Sequence, residues 1–511
     1  MAAKTQKQGV LSYFVLSEPA EECRLNCTEL KICISRNPNM PSEYINARNP
    51  FTGQSDYRFE ITSAEEIKQA CIELKMAQPK WQALGITGRI AALRELGEVF
   101  TQEKLALFKA LSTDTGRQRI THVEIQAMQS IITTSIKNAL VVFQEAYWCS
   151  TPIPSIFGQQ QYLPYPLVGI IAPWNFPLVL SMIDSIPALL AGCAVVLKPS
   201  EITPRYIDPL KKIFSLVPEI AAVTRIIRGP GSTGAALMEH IDAVVCTGSV
   251  STGRIVAEHA ARRFIPAFLE LGGKDAVIIT EDADLSRAAN TVVRSSITAT
   301  GQACQSLERV YVARSVHNNF LNLLRTRITD VKITAYDPHG HIGPFIMARQ
   351  AEIVRDHIMD ALAKGAKLEA GGNIIERGGL WCEPTLLSQV DHSMRIMNEE
   401  TFGPVIPVMA FDTLNAAINL ANETDYGLSA NVFAGSEEEA LSIARKLEAG
   451  FISINDISMS SYVSDFEWEG FGFSGLGRSR MGTAGIARYL KTKAIVVNRG
   501  STNKITDLPD T

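Results

Sequence analysis

Between Val168 and Val196 the chain is apolar enough and long enough to cross a membrane on hydropathy alone, yet Pro173, Pro177 and Pro187 interrupt it. Asn175 and Asp184 lie in the same stretch. Each proline removes a backbone donor and clashes with the preceding turn, so three of them would break a spanning helix repeatedly. The stretch reads instead as strand, turn, buried helix and strand. Such uniformly apolar segments belong inside an α/β core, where both faces of a parallel sheet are covered.

The flanking sequence continues that alternation. Ala194 to Leu197, Val223 to Ile227 and Ala243 to Cys246 read as strands, with a helix from Gly234 to His240 between the last two. Alternating strands and helices imply βαβ units and a parallel sheet. The pattern restarts after Gly273 with a strand from Ala276 to Ile279, a helix from Leu285 and a strand from Val310 to Val312, which predicts a second α/β domain. Upstream, Ser63 and Glu66 form a capping-box pattern for a helix running through Lys75, and Arg89 to Leu107 reads as an amphipathic helix with Leu93, Leu96 and Val99 on one face.

The chain has 511 residues, beyond the size at which single cores stop growing, and a net charge of -4, which offers no basic field for nucleic acid. Its nine cysteines are an odd number with no disulfide spacing, so reduced thiols in the cytoplasm are expected. Cys23, Cys27 and Cys33 have no CxxC pair or closing histidines, so no metal site is expected there. Val10 to Leu16 is too short, and too quickly followed by Glu18, Glu21 and Glu22, to read as a secretory signal. The tail from Arg499 reads as polar and frayed.

Six local patterns could carry chemistry. Gly301-Gln302-Ala303-Cys304 lets a glycine turn the backbone and present a thiol, a strong nucleophile when its surroundings lower its pKa, although a buried structural cysteine fits the pattern equally. In Phe268-Leu269-Glu270-Leu271-Gly272-Gly273-Lys274 an acid ends an apolar strand, where burial raises a carboxylate's pKa and suits it to general-base work; a solvent-facing glutamate beside a turn is the alternative. Pro173-Trp174-Asn175-Phe176-Pro177 holds an asparagine between prolines, as an oxyanion donor or as a plain turn residue. Lys198-Pro199-Ser200-Glu201 follows a buried strand, where a lysine and an acid could hold ribose hydroxyls or simply face solvent. Thr247-Gly248-Ser249-Val250-Ser251-Thr252-Gly253 lies between strand and helix, where backbone N–H groups can meet a pyrophosphate. Glu399-Glu400-Thr401-Phe402-Gly403-Pro404 sets a carboxylate beside an aromatic ring. Gly229-Pro230-Gly231-Ser232-Thr233-Gly234 matches a dinucleotide fingerprint literally, but no acid stands about 20 residues on, so it reads as a tight turn.

Together and in this order the six patterns resemble the aldehyde dehydrogenase superfamily from about Asn46 to about Asn498, and Asn422 to Leu428 and Gly450 to Asn455 resemble it too. The resemblance implies an α/β fold with two doubly wound parallel-sheet domains, a Rossmann-like cofactor domain and a catalytic domain, plus a small β oligomerisation arm. The implied divisions are 46–140 and 160–272 for the nucleotide-binding domain, 273–470 for the catalytic domain, and 141–159 with 471–498 for the arm. Residues 1–45 remain an N-terminal extension of unassigned role. Cys304 would be the nucleophile and Glu270 the general base, while Asn175, with the Cys304 N–H, would form the oxyanion hole. Trp174, Lys198, Glu201, Gly248, Ser249, Gly253, Leu271, Glu400 and Phe402 would contact the cofactor. That cofactor would be NAD, with NADP possible, and no metal is implied.

The implied reaction oxidises an aldehyde to a carboxylic acid through a thiohemiacetal and a thioester, then hydrolyses the thioester. Members are usually dimers or tetramers, so the resemblance implies a homodimer or homotetramer. Two alternatives stand beside this reading: a coenzyme A-acylating dehydrogenase, whose relatives usually lack a glutamate at the Glu270 position, and a non-enzymatic binding protein on the same fold. One segment departs from the family. Glu467 to Ser479 lacks the proline, one glycine, the lysine and the final glutamate of a PFGGxKxSGxGRE-like stretch. In the family that segment lies close to the substrate entrance, so Tyr462, Phe466 and Trp468 are expected to shape an unusual mouth, and the departure bears on substrate class and packing but not on the chemistry.

Overall fold

The computed structural model describes residues 43–144 and 148–501. The expectations for Val10 to Leu16, for Cys23, Cys27 and Cys33 and for most of the N-terminal extension fall outside them, as does the tail beyond Ser501. The stretch with three prolines resolves into the strand Leu167–Ile171, the helix Pro177–Ala191 and the strand Ala194–Lys198. Pro177 is the first helical residue, where a missing N–H costs nothing, and Gly192 ends the helix in the left-handed conformation. Among the described residues no helix is long and apolar enough to cross a membrane.

The first sheet runs in the spatial order Gly475–Leu476, Ala267–Glu270, Ala243–Thr247, Leu167–Ile171, Ala194–Lys198, Thr224–Ile226. The last five strands are parallel, and Gly475–Leu476 is antiparallel to Ala267–Glu270. The winding direction reverses between Leu167–Ile171 and Ala243–Thr247. Loops leaving these two strands therefore diverge and open a crevice at their carboxyl ends. The second sheet has the order Lys367–Ala370, Thr385–Ser388, Val405–Phe411, Leu307–Ala313, Asp275–Ile279, Ser429–Phe433, Phe451–Ile454, and all but the first strand are parallel. Only Leu271 to Lys274 separate Glu270, the last residue of a strand in the first sheet, from Asp275, the first residue of a strand in the second. Both ends of that link are thus fixed by hydrogen-bonded sheets.

The Ser63–Glu66 capping box forms as expected and starts a helix that continues to Ala83, past Lys75. The second helix is also longer, Gly85–Thr115, with Leu93, Leu96 and Val99 buried. The helix expected over Gly234 to His240 starts earlier and spans Gly231–Met238. The literal glycine fingerprint is a tight turn: Gly229 has φ +150°, and a Cβ there would overlap the Thr233 hydroxyl.

Leu490–Asn498 pairs along its whole length with Ile156–Pro164, and Cys149–Ser150 adds a short third strand. Upstream of this ribbon the chain returns to the body. Gly475–Leu476 joins the first sheet, while Ile486 and Tyr489 lie in the core beneath it.

Candidate active site

Three loops meet where the two sheets face each other. A Cβ on Gly273 would stand 2.5 Å from the Cys304 carbonyl oxygen, and one on Gly272 would stand 2.5–2.7 Å from the Glu400 carboxyl group. These two glycines let the Glu270 strand end, the Cys304 loop and the Glu400 loop close on one another.

The Cys304 loop is held in a costly conformation. Ala299, Thr300 and Gly301 all have positive φ, at 55°, 63° and 68°, and only the glycine adopts that region without penalty. The surroundings over-determine the loop. Gln302, fully buried, donates from Nε2 to the Ala299 and Pro344 carbonyls at 3.2 and 3.3 Å, and its Oε1 accepts from the Ile346 N–H at 3.0 Å. The Thr300 hydroxyl donates to the Gly343 carbonyl at 3.0 Å. Arg117, buried, donates to the Ala299 carbonyl at 3.1 Å and to the Asn175 carbonyl, tying the loop to the Trp174–Asn175 turn. The Asn175 amide donates to the Gln302 carbonyl at 3.0 Å. An amide nitrogen carries two hydrogens, so Asn175, anchored through one of them to the carbonyl of Gln302, two residues before Cys304, keeps a second donor free.

Burial pushes the Cys304 thiol up to about 12, and the Glu400 and Asp275 carboxyl groups add to that shift. The surroundings therefore keep the resting thiol protonated rather than activating it. Burial also raises the Glu270 carboxyl group, while Arg480 and Arg488 draw it down. Its side chain is 14% exposed, and Arg480 Nε lies 3.3 Å from Oε1.

The residues expected to contact a cofactor lie at the ends of the strands Leu167–Ile171, Ala194–Lys198, Ala243–Thr247 and Ala267–Glu270 or on the segments that follow them, and on the Glu400 loop. Lys198 Nζ pairs with Glu201 at 3.2 Å just past the Ala194–Lys198 strand. Ser249 caps the helix Val250–Arg263 by accepting from the Thr252 N–H. The Gly248 N–H is used, donating to the Glu270 carbonyl at 3.1 Å, so Gly248 offers clearance rather than a donor: a Cβ on it would meet nothing nearer than 3.9 Å. Gly253 presses on Leu271, whose methyls would stand 2.5–2.6 Å from a Cβ there. The Trp174 and Phe402 rings meet edge to face with centroids 5.5 Å apart. Glu400 accepts from the Gly273 N–H at 3.1 Å, and burial beside Glu308 pushes it up to about 8. A helix N-terminus at the sheet's switch point, a lysine–acid pair one strand away and two aromatic rings beside a buried carboxyl group fit a dinucleotide's pyrophosphate, ribose and nicotinamide chemistry.

Several positioning groups escape sequence reading. Glu308 accepts from Lys274 Nζ at 2.6 Å and from the Thr401 and Phe402 N–H groups at 2.7 and 2.8 Å, holding the Glu400 loop while Phe402 sits at φ 54°. Arg117 follows Gly116 in an unremarkable helix-to-helix turn. Arg480 and Arg488 lie beyond the divergent segment, and Asp184, which pairs with both, is a lone acid in an apolar helix. That lone acid was the available signal. The divergent segment does more than border the entrance: the Leu271 N–H donates to the Ser474 carbonyl at 2.8 Å, and Gly475 pairs with Glu270. Tyr462 and Phe466 are exposed, whereas Trp468 packs edge to face on Phe451 at 5.8 Å.

The sequence profile of the Aldehyde dehydrogenase family matches residues 38–495. A protein of Mycobacterium ulcerans, provisionally assigned as succinate-semialdehyde dehydrogenase [NADP(+)] 2, is 33% identical over 497 residues, which cover 95% of this chain and 93% of its own. Among solved structures, PutA of Anabaena variabilis, provisionally assigned as an aldehyde dehydrogenase, has a TM-score of 0.87 at 46% identity and covers 91% of this chain and 99% of its own. Lactaldehyde dehydrogenase of Escherichia coli has a TM-score of 0.84 at 30% identity, with 90% and 96% covered.

Proposed function

Because the chain belongs to the aldehyde dehydrogenase family, and so oxidises aldehydes to carboxylic acids with NAD(P), we propose that it works through a thioester on Cys304 that water hydrolyses. The observation that carries this reading is the convergence of the Cys304, Glu270 and Glu400 loops through Gly272 and Gly273.

Cys304 Sγ attacks the carbonyl carbon, its proton passes to a base, and the carbonyl oxygen becomes an oxyanion. The spare N–H of Asn175 stabilises that charge, a donor worth about 3–4 kcal/mol in such sites. When bound, the nicotinamide coenzyme supplies the hydride acceptor. Glu270 then takes a proton from water. The resulting hydroxide attacks the thioester carbon, the C–S bond breaks, and the acid leaves with Cys304 restored. Glu270 favours water over coenzyme A as the acceptor. Its presence with Cys304 and Asn175 also argues against a binding protein without turnover.

Trp174, Lys198, Glu201, Gly248, Ser249, Gly253, Leu271, Glu400 and Phe402 form the coenzyme contacts in this reading. Glu201, paired with Lys198, would repel a 2′-phosphate and favours NAD; the Mycobacterium relative is named for NADP(+), so both belong in the assay. Residues 46–140 and 160–272 would then form the nucleotide-binding domain, less residues 160–164, which pair in the ribbon, and joined by Gly475–Leu476, Ile486 and Tyr489, and 273–470 would form the catalytic domain. The ribbon of Ile156–Pro164 and Leu490–Asn498 exposes Tyr162, Ile495 and Val496 and would serve assembly into a homodimer or homotetramer. The buried free thiols Cys71, Cys193, Cys246 and Cys382 suit the reducing cytoplasm.

The test is reduced-coenzyme formation over an aldehyde panel with NAD or NADP, with and without coenzyme A, for the parent and Cys304→Ala. The expected result is turnover by the parent without coenzyme A and none by the variant. Equal turnover by Cys304→Ala would overturn the reading.

A further inference from the structure

The residues beyond the divergent segment bring charge to Glu270. Arg480 and Arg488 have side chains 8% and 1% exposed, and both converge on Asp184, itself 1% exposed, in the Pro177–Ala191 helix. Arg480 Nη2 donates to Asp184 Oδ2 at 3.0 Å and to the Thr247 hydroxyl at 2.6 Å. Arg488 Nη2 donates to Asp184 Oδ1 and to the Tyr489 hydroxyl, the latter at 2.9 Å.

On the other side, Glu270 Oε1 lies 3.3 Å from Arg480 Nε and 3.7 Å from Arg488 Nη1. The Nε atoms of both arginines are buried and have no hydrogen-bond partner. The two cations are thus bound firmly to Asp184 and only loosely to Glu270. Two anions and two cations also leave the cluster neutral.

We propose that Arg480 and Arg488, with Asp184 as their counter-ion, are positioning residues that dock the Glu270 carboxylate in its charged form and leave it loose enough to reach the water that attacks the thioester. The inference rests on Glu270 being the general base. Removing either arginine would take away one of the two charges that draw the Glu270 titration down and leave burial to raise it further. Without Asp184, both guanidinium groups would turn their free donors on Glu270 and lock it. A buried ionic network is weak as a source of stability, because desolvation offsets the attraction, so fold stability alone does not account for three buried charges and a partly buried fourth here. The charged and titratable groups facing Glu270 are Arg480 and Arg488 from the C-terminal segment, Asp184 from the helix, Glu469 from the divergent segment and the protonated Cys304 thiol. Burial, Asp184 and Glu469 push its titration up, and the two arginines pull it down.

The test measures the pH profile of steady-state kcat and the amplitude of the first-turnover burst of reduced coenzyme. It compares the parent enzyme with Glu270→Gln, Arg480→Gln, Arg480→Lys and Asp184→Asn, alongside thermal unfolding of each. Arg480→Gln should keep a burst and move the acid limb of kcat up by about 1–3 pH units. Arg480→Lys keeps the charge on a single donor and should move the limb in the same direction but less. Asp184→Asn should move it down. If Arg480→Gln does not fold, Arg480→Lys carries the test. Rates that fall at every pH in step with stability, with the acid limb unmoved, would overturn the proposal. Undiminished kcat in Glu270→Gln would instead overturn the general-base reading beneath it.

Discussion

Replacing Gln302 by alanine should cripple the site without touching a reacting atom. Its side chain makes three hydrogen bonds from a fully buried position. Alanine leaves the Ile346 N–H and the Pro344 carbonyl without these partners, whereas the Ala299 carbonyl still accepts from Arg117 and from the Gln302 backbone N–H. Two orphaned buried groups at about 1–3 kcal/mol each predict a loss of about 3–5 kcal/mol with the lost packing included. Against this stands the strain of Ala299 and Thr300 in the left-handed region, about 1–2 kcal/mol per residue. In the parent the clamp outweighs the strain. In Gln302→Ala the strain is comparable to what Arg117 and Thr300 can still hold, so the loop relaxes and Cys304 drifts. A displacement of about 1 Å costs on the order of 100-fold in rate. The assay is kcat with the first-turnover burst, beside the denaturant midpoint. Gln302→Glu serves as the isosteric control: it turns an acceptor toward two carbonyl oxygens and should be no better. Parent-like kcat in Gln302→Ala, with stability within about 1 kcal/mol of the parent, would refute the clamp.

Asn175→Ala should lower kcat by about 100- to 1,000-fold with a smaller change in KM, because the lost donor acts on charge that develops only in the transition state; a drop below about tenfold would remove Asn175 from the oxyanion hole. Alkylation of Cys304 by iodoacetamide in the coenzyme-free enzyme should rise with pH through the neutral and mildly alkaline range without a plateau, since the thiol titrates only near about 12. Glu400, pushed up to about 8, is mostly neutral below that pH. Glu400→Gln should therefore match the parent under acidic conditions and react faster than it at higher pH, where the parent carries the carboxylate charge that holds the thiol proton. A plateau near neutrality in the parent would show an activated thiol instead.

Local sequence determined whatever is decided by short-range chemistry. The capping box at Ser63, the helix from Leu285, and the strand–helix–strand reading of Val168 to Val196 follow from caps, prolines and apolar runs acting within a few residues. The ordered patterns around Asn175, Glu270, Cys304 and Glu400 likewise marked segments that the fold brings together. Helix lengths were less legible, because the helix after Ser63 continues to Ala83 on the strength of tertiary packing by Gln78 and Trp81, which donate to the Gly192 and Leu189 carbonyls. Tertiary structure alone decided how the site is held. Arg117 reaches Asn175 and Ala299, Glu308 reaches Thr401 and Phe402, and Arg480 and Arg488 reach Asp184 from the far end of the chain. Such contacts have no sequence period. A buried arginine looks like any other until the fold brings its counter-charge within a hydrogen bond, because its desolvation cost is set by neighbours the chain supplies only after folding.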